Sequence, residues 1–146
     1  MENIYTDEER LWLNGDDTKP KRITPSIVNT LDENEIFVFG SNINGMHMGG
    51  AARVAYNKFG AEWGNGEGLQ GQSYALPTME GVENIRVAVK HFTDCAYDHP
   101  EYKFLVTPVG CGIAGYKPED IAPIFESASQ LKNVYLPISF WKVLKK

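Results

Sequence analysis

The stretch FLVTPVGCGIAGYKPEDIAPIF, residues 104 to 125, sets an apolar run against a glycine loop and then a segment with helical features. Its glycines at 110, 112 and 115 match G-x-G-x-x-G, so two readings compete: the dinucleotide fingerprint of a Rossmann-type enzyme, or a longer loop that holds phosphate in another way. The fingerprint places its last glycine inside the helix and an acidic residue about 20 positions later, at the end of the next strand, against a ribose. Here the next expected strand ends ISFWKVL, without Asp or Glu. Pro118, followed by Glu119 and Asp120, also marks a first helical turn that begins after all three glycines. The Rossmann-type dinucleotide-dependent enzyme is kept as an alternative that the spacing disfavours.

Upstream, IFVFG from Ile36 to Gly40 is continuously apolar between turn residues, as expected of a strand buried on both faces of a parallel sheet. SNINGMHMGG (residues 41 to 50) follows as a loop. From Gly50, residues Ala51, Ala52, Val54, Ala55 and Phe59 share one helical face that Gly60 ends. GAEWGNGEGLQGQS (60 to 73) is expected to be an ordered surface loop, and YALPT after it a short strand. Val82, Ile85, Val89, Phe92 and Ala96 recur at helical spacing from Gly81 to about His99, and the helix stops before Pro100. KFLVTPV is the next strand. Pro123 leaves two options, a kink in the helix that starts at Pro118, or one turn at 118 to 121 before a helix from 123. NVYLPISFW reads as the last strand. Residues 1 to 23 read as an irregular arm anchored by Trp12 and Leu13, and Thr24 before Pro25 as the start of a short helix, PSIVNTL. The pattern is β-α-β-α-β, an α/β chain with helices on a mostly parallel sheet, in one domain with an N-terminal arm (1–30) and an α/β core (31–146).

Composition bounds the function. The chain has 146 residues, 14 Lys plus Arg against 19 Asp plus Glu, and a net charge of −5. Its basic residues are scattered, which argues against a long nucleic-acid backbone as ligand but leaves a small anion open, since that needs only local N–H groups. The acidic start and the lack of a long apolar run lead to the expectation of a cytoplasmic protein that makes no membrane contact. Cys95 and Cys111 form no metal-ligand spacing with a His, so no metal or cofactor is expected. Gly66 to Ser73 has the spacing of a P-loop but carries Gln72 where a lysine must reach phosphate.

Ligands bind beyond the carboxyl ends of strands in open parallel sheets. Both strong strands run into glycine loops there, and if they are neighbours the loops face one crevice. In the first loop Asn42, Asn44 and His47 are candidate catalytic side chains, His47 either as a general base or as a solvated loop residue. Cys111, between glycines, is either a nucleophile with a lowered pKa or a packing residue. Glu67 is either an acid or base at the crevice or an exposed carboxylate. Glycines that serve turns alone, in a structural or interaction protein, are the remaining reading.

The segments GSNINGMHMGGAARVA and PVGCGIAGYKPEDIA resemble the macro-domain superfamily, the ADP-ribose-binding α/β/α fold, and its short single-domain branch of deacylases and glycohydrolases. The resemblance covers residues 36 to about 140. The run from EIFVFGSN through GLQGQSYALPT to VTPVGCGIAGY is similar to a group of bacterial and phage proteins related to that superfamily. The resemblance implies a three-layer α/β/α fold that binds ADP-ribose or a related adenine nucleotide, free or carried on a protein or nucleic acid. It places Asn42 at the distal ribose, counts Ser41 among the ligand-binding residues, and sets the amides of Gly49 and Gly50 along the crevice. It assigns the diphosphate to Gly110, Cys111, Gly112, Ile113, Ala114 and Gly115, the distal sugar to Tyr116 and adenine stacking to Phe140. A water near the distal ribose would then be the nucleophile of an ADP-ribosyl hydrolase. The deacylase branch carries an Asp within the second loop. Ala114 stands in that region here, and Asp16 and Asp17 are the unplaced candidates for reading the adenine amine. A non-catalytic sensor or sequestering module for a nucleotide signal is the alternative that this departure favours.

Overall fold

A computed structural model describes residues 2–145. Five strands form one mixed sheet: β1 (Glu35–Ser41), β2 (Gly68–Gln70), β3 (Ser73–Pro77), β4 (Lys103–Val106) and β5 (Val134–Tyr135), in the order β2-β3-β1-β4-β5. β1 lies parallel to both β3 and β4, with Phe37 opposite Ser73 on one side and Leu105 on the other. β5 extends the parallel set, and the short β2 closes the far edge antiparallel to β3. The two strong strands are therefore neighbours, as the crevice reading requires.

Side-chain alternation splits the core into two clusters. Ile36, Val38, Tyr74, Leu76, Phe104 and Val106 pack with Ile85, Val89, Phe92 and Ala96 of α3 (Val82–Asp98). Phe37, Phe39, Ala75 and Leu105, the alternate residues, pack with Ala52 and Ala55 of α2 (Gly50–Lys58) and with Phe59. Strand residues with period two point to opposite faces, so a run of apolar residues in β1 needs cover on both. Phe92 is the hub of the larger cluster, with ring centroids 5.2 Å from Tyr74, 5.5 Å from Phe104 and 6.2 Å from Phe125. Burying each such phenyl contributes about 1.5–3 kcal/mol.

Three expectations are corrected. The N-terminal segment is ordered: α1 (Asp7–Gly15) starts with a reciprocal cap in which Glu9 N–H donates to Thr6 Oγ1 (3.1 Å) and Thr6 N–H to the Glu9 carboxylate (2.6 Å). The Thr-x-x-Glu spacing that encodes such a box is present at Thr6–Glu9. Trp12 and Leu13 do anchor this segment on the core. No helix forms at Pro25. Ile23 bridges to Leu136 and Ile27 to Ile4, Thr24 N–H donates to Leu136 O at 3.0 Å, and the amides of Asn29 and Thr30, which a helix from Pro25 would bond to its own first turn, donate to Asn3 Oδ1 at 2.7 and 3.0 Å. The arm covers the two-residue edge strand β5, which would otherwise present unpaired backbone groups.

The third correction concerns the end of the chain. The last strand stops at Tyr135, and Pro137 opens α6 (Ile138–Leu144). Proline fixes φ near its helical value and lacks the N–H a strand would use. Ile138, Trp141 and Leu144 then repeat at helical spacing, and all three pack on the larger cluster. Around Pro123 the second option is nearer: one turn, α4 (Pro118–Ile121), leads into a 3-10 segment at Ala122–Phe125 and a further short turn, α5 (Glu126–Ser129). Among the described residues no helix is long and apolar enough to cross a membrane.

Candidate functional site

The sheet order creates the site. The chain leaving β1 turns into α2 on the face of the smaller cluster, while the chain leaving β4 turns into α4 on the face of the larger one. Loops that diverge from adjacent parallel strands leave a gap between them at the carboxyl ends. A cleft of about 410 Å³ opens there, and the ends of β1, β3 and β4 all reach it through Gly40 to Asn42, Thr78 and Met79, and Thr107 to Gly110.

Two sets of main-chain donors belong to residues that line this cleft. The first helical bond of α2 runs from Arg53 N–H to Gly49 O (3.3 Å), which leaves the amides of Gly50, Ala51 and Ala52 without a helical acceptor. The second loop is held by four short-range bonds, among them Cys111 N–H to Pro108 O (3.2 Å), Gly115 N–H to Gly112 O (3.0 Å) and Tyr116 N–H to Gly110 O (2.9 Å). Those bonds leave the amides of Gly112, Ile113 and Ala114 with no acceptor among the described residues. Six such donors lie on two segments that line the cleft, one of them the positive end of a helix dipole, and unpaired amides of this kind are chemically suited to an anion with several oxygens.

The polar side chains of the cleft are already engaged. Ser41 Oγ donates to Gly66 O, Thr107 Oγ1 to Val38 O at 2.7 Å, and Thr78 Oγ1 lies 3.5 Å from Ser41 O. Asn42 spans its own loop: Oδ1 accepts from Met46 N–H (3.0 Å) and Nδ2 donates to Met46 O (3.1 Å). Among the described residues no Asp, Glu, His, Lys or Arg lines the cleft.

Of the residues singled out from the sequence, Ser41, Asn42, Gly49, Gly50, Gly110, Gly112, Ile113 and Ala114 meet around this space. The others lie elsewhere. His47 is fully buried; its Nε2 sits 2.8 Å from Glu62 O, an atom that only accepts, so this nitrogen carries the proton. Phe39 packs edge-on to the ring at 5.1 Å, which makes His47 a pillar under the loop rather than a base in the cleft or a solvated side chain. Asn44 is exposed beyond the rim and Gly115 on the outer turn. Phe140 is a core residue of α6, fully buried with its ring 5.6 Å from that of Phe125, and does not stand at a strand end where it could stack on adenine. Tyr116 packs on the larger cluster. Glu67 pairs with His91 at 3.0 Å, away from the cleft lining. Asp16 is occupied at the end of α1, where it accepts from Thr18 N–H at 2.9 Å.

Cys111 also points to the core. Burial pushes its thiol above the usual range, with Asp120 and Glu119 adding to the effect, the opposite of what an activated nucleophile needs. Alkylation of native protein by iodoacetamide at neutral pH is expected to be slower at Cys111 than in a short unfolded peptide of the same sequence. Equal rates by mass spectrometry would contradict the packing role.

Sequence reasoning missed the part of the wall built from β3 and the loop Met residues: Thr78, Met79, Met46 and Met48. A signal existed in YALPT, whose last residue leaves a parallel strand on the same side as the two glycine loops. It also missed why the first loop is rigid. Gly45 N–H donates to Asn42 O and Gly45 O accepts from Gly64 N–H, both at 2.9 Å, so the glycine-rich segment 60 to 67 is a buttress for the Asn42 loop.

Comparison with models of protein families, with curated proteins and with solved structures finds no match to the chain.

Proposed function

We propose that the protein is a macro-like, three-layer α/β/α module that binds ADP-ribose or a closely related nucleoside diphosphate compound and holds it without hydrolysis. The observation that carries this reading is the cleft itself, which residues with unpaired amides from α2 and from the Gly110–Gly115 loop line together and which no ionisable side chain of the described residues lines. Amides arranged in advance suit a diphosphate. General acid-base catalysis, in contrast, needs a titratable group within hydrogen-bond reach of the reacting atoms. With Asn42 tied to Met46 and His47 buried under the loop, neither candidate is disposed to activate water. The sensor or sequestering role is favoured over the hydrolase for this reason.

Calorimetric titration with ADP-ribose is expected to give saturable one-to-one binding, with the ligand recovered intact after long incubation. Gly112 supplies the control, because a Cβ there would meet no protein atom within 4 Å. Gly112→Val should therefore fold with an unchanged melting temperature while its side chain occupies the space of the diphosphate, and binding should be lost. Absence of heat and of thermal stabilisation with native protein would sink the reading, and turnover of the ligand would replace sequestering by catalysis.

A further inference from the structure

The amide floor of the cleft carries a different kind of lip. Met46, Met48, Met79 and Ile113 all line the space and all stand open to solvent, with 46 %, 68 %, 47 % and 84 % of their surface exposed. Exposed thioethers and aliphatic side chains on both sides of one opening cost solvation unless something covers them. What covers them must also continue from an anion on the floor, since floor and lip belong to one cavity.

A planar ring joined to a diphosphate meets both requirements. Recognition of a particular base would further need hydrogen-bond partners for the ring edge. The side-chain groups of Ser41, Asn42, Thr78 and Thr107 are bonded within the protein, and the unpaired amides of Gly50 to Ala52 and Gly112 to Ala114 are assigned to the phosphates in the proposed function. The side chains of the lip carry no donor and only the weak thioether acceptors. Methionine is unbranched and polarizable, makes favourable contacts with aromatic faces and repacks on different partners, which is why surfaces rich in it are permissive.

We infer that the Met46, Met48, Met79 and Ile113 lip clasps the base of the ligand by its faces alone, so that the site selects nucleoside diphosphate sugars as a class and not adenine in particular. This rests on the proposed diphosphate floor and goes beyond it, because it assigns the specificity of the site. Discrimination among bases by edge hydrogen bonds commonly reaches about 5- to 150-fold, and that margin is absent here.

The test is a matched titration of the native protein with ADP-ribose, GDP-ribose and CDP-ribose, with inorganic pyrophosphate as the ligand that lacks a base. The three nucleotides are expected to bind within about fivefold of one another, and pyrophosphate at least about tenfold more weakly. Met48→Gln with Met79→Gln, exposed positions whose change leaves the core intact, should weaken all three nucleotides by a similar factor and leave pyrophosphate unaffected. A preference for ADP-ribose above about 50-fold would overturn the inference while leaving the diphosphate floor in place. Equal binding of pyrophosphate and nucleotides would remove the lip from recognition, again with the floor intact. If none of the four ligands binds, the floor and the inference fall together.

Discussion

Gly45→Ala is expected to lower the melting temperature by about 6–12 °C, the largest effect among the Gly→Ala changes of this protein. Gly45 has φ +68°, a left-handed conformation that costs an L side chain about 1–2 kcal/mol. The added Cβ would lie 2.3 Å from the Asn65 amide nitrogen and 2.4 Å from the Gly64 carbonyl carbon. These are backbone atoms that cannot rotate aside, so overpacking adds about 1–3 kcal/mol. The opposing segment is as tightly built: a Cβ at Gly66 would lie 2.3 Å from Asn42 O. Together the two glycines let the chain after β1 and the segment 60 to 67 touch backbone to backbone. Because Met46 and Met48 ride on this clasp, Gly45→Ala should also weaken nucleotide binding. Gly49→Ala is the matched control, since Gly49 has φ −153° and open space around its Cα. It should shift the melting temperature by less than about 2 °C. A shift that small for Gly45→Ala as well would mean that the loops part freely.

Arg22→Met is expected to cost roughly 2–4 kcal/mol, read as a fall of about 4–12 °C in thermal melting. Its guanidinium reaches three carbonyls in the segment before and within β5: Nη1 donates to Leu131 O at 2.7 Å and to Val134 O, and Nη2 to Ser129 O at 2.8 Å. Trp141 closes the unit from the other side, with its ring 5.3 Å from the guanidinium carbon and its Nε1 donating to Arg22 O at 2.7 Å. Removing the guanidinium takes its donors from three main-chain acceptors in a partly buried place, of which Leu131 O keeps Val134 N–H at 3.2 Å, and an apolar replacement supplies none. Burial already lowers the pKa of Arg22, so the group is partly desolvated and its hydrogen bonds count for more than surface ones. Arg22→Lys should recover less than half of the loss, because a point ammonium cannot span the three oxygens. Full recovery by lysine would reduce the role of Arg22 to its charge.

Much of the core was legible because local pattern and tertiary need agree there. Ile36 to Gly40, the helix after Gly81 and the strand before Thr107 carry their period openly, and each occupies the expected place. The failures share one cause. Thr24 and Pro25 look like a helix start, yet the donors around them pair with Ile4 and Leu136, residues far away in the chain. The segment after Asn133 is rich in β-formers, yet Pro137 and the packing of Ile138, Trp141 and Leu144 make most of it a helix. Thr6 to Glu9, by contrast, is a local signal that was present in full.

The same division holds for the site. By itself, the sequence determined that two glycine loops follow buried strands and that the second loop precedes its helix, because glycine, proline and apolar runs act through near neighbours and need no partner to be read. Only the tertiary structure decided that β1 and β4 lie side by side, that β3 supplies a third wall through Thr78 and Met79, and that Asn42 is bonded to its own loop. It likewise turned His47 and Phe140 from candidates at a ligand into buried supports. Strand order and burial depend on which distant surfaces meet, and that information is spread over the whole chain rather than held in any one stretch of it.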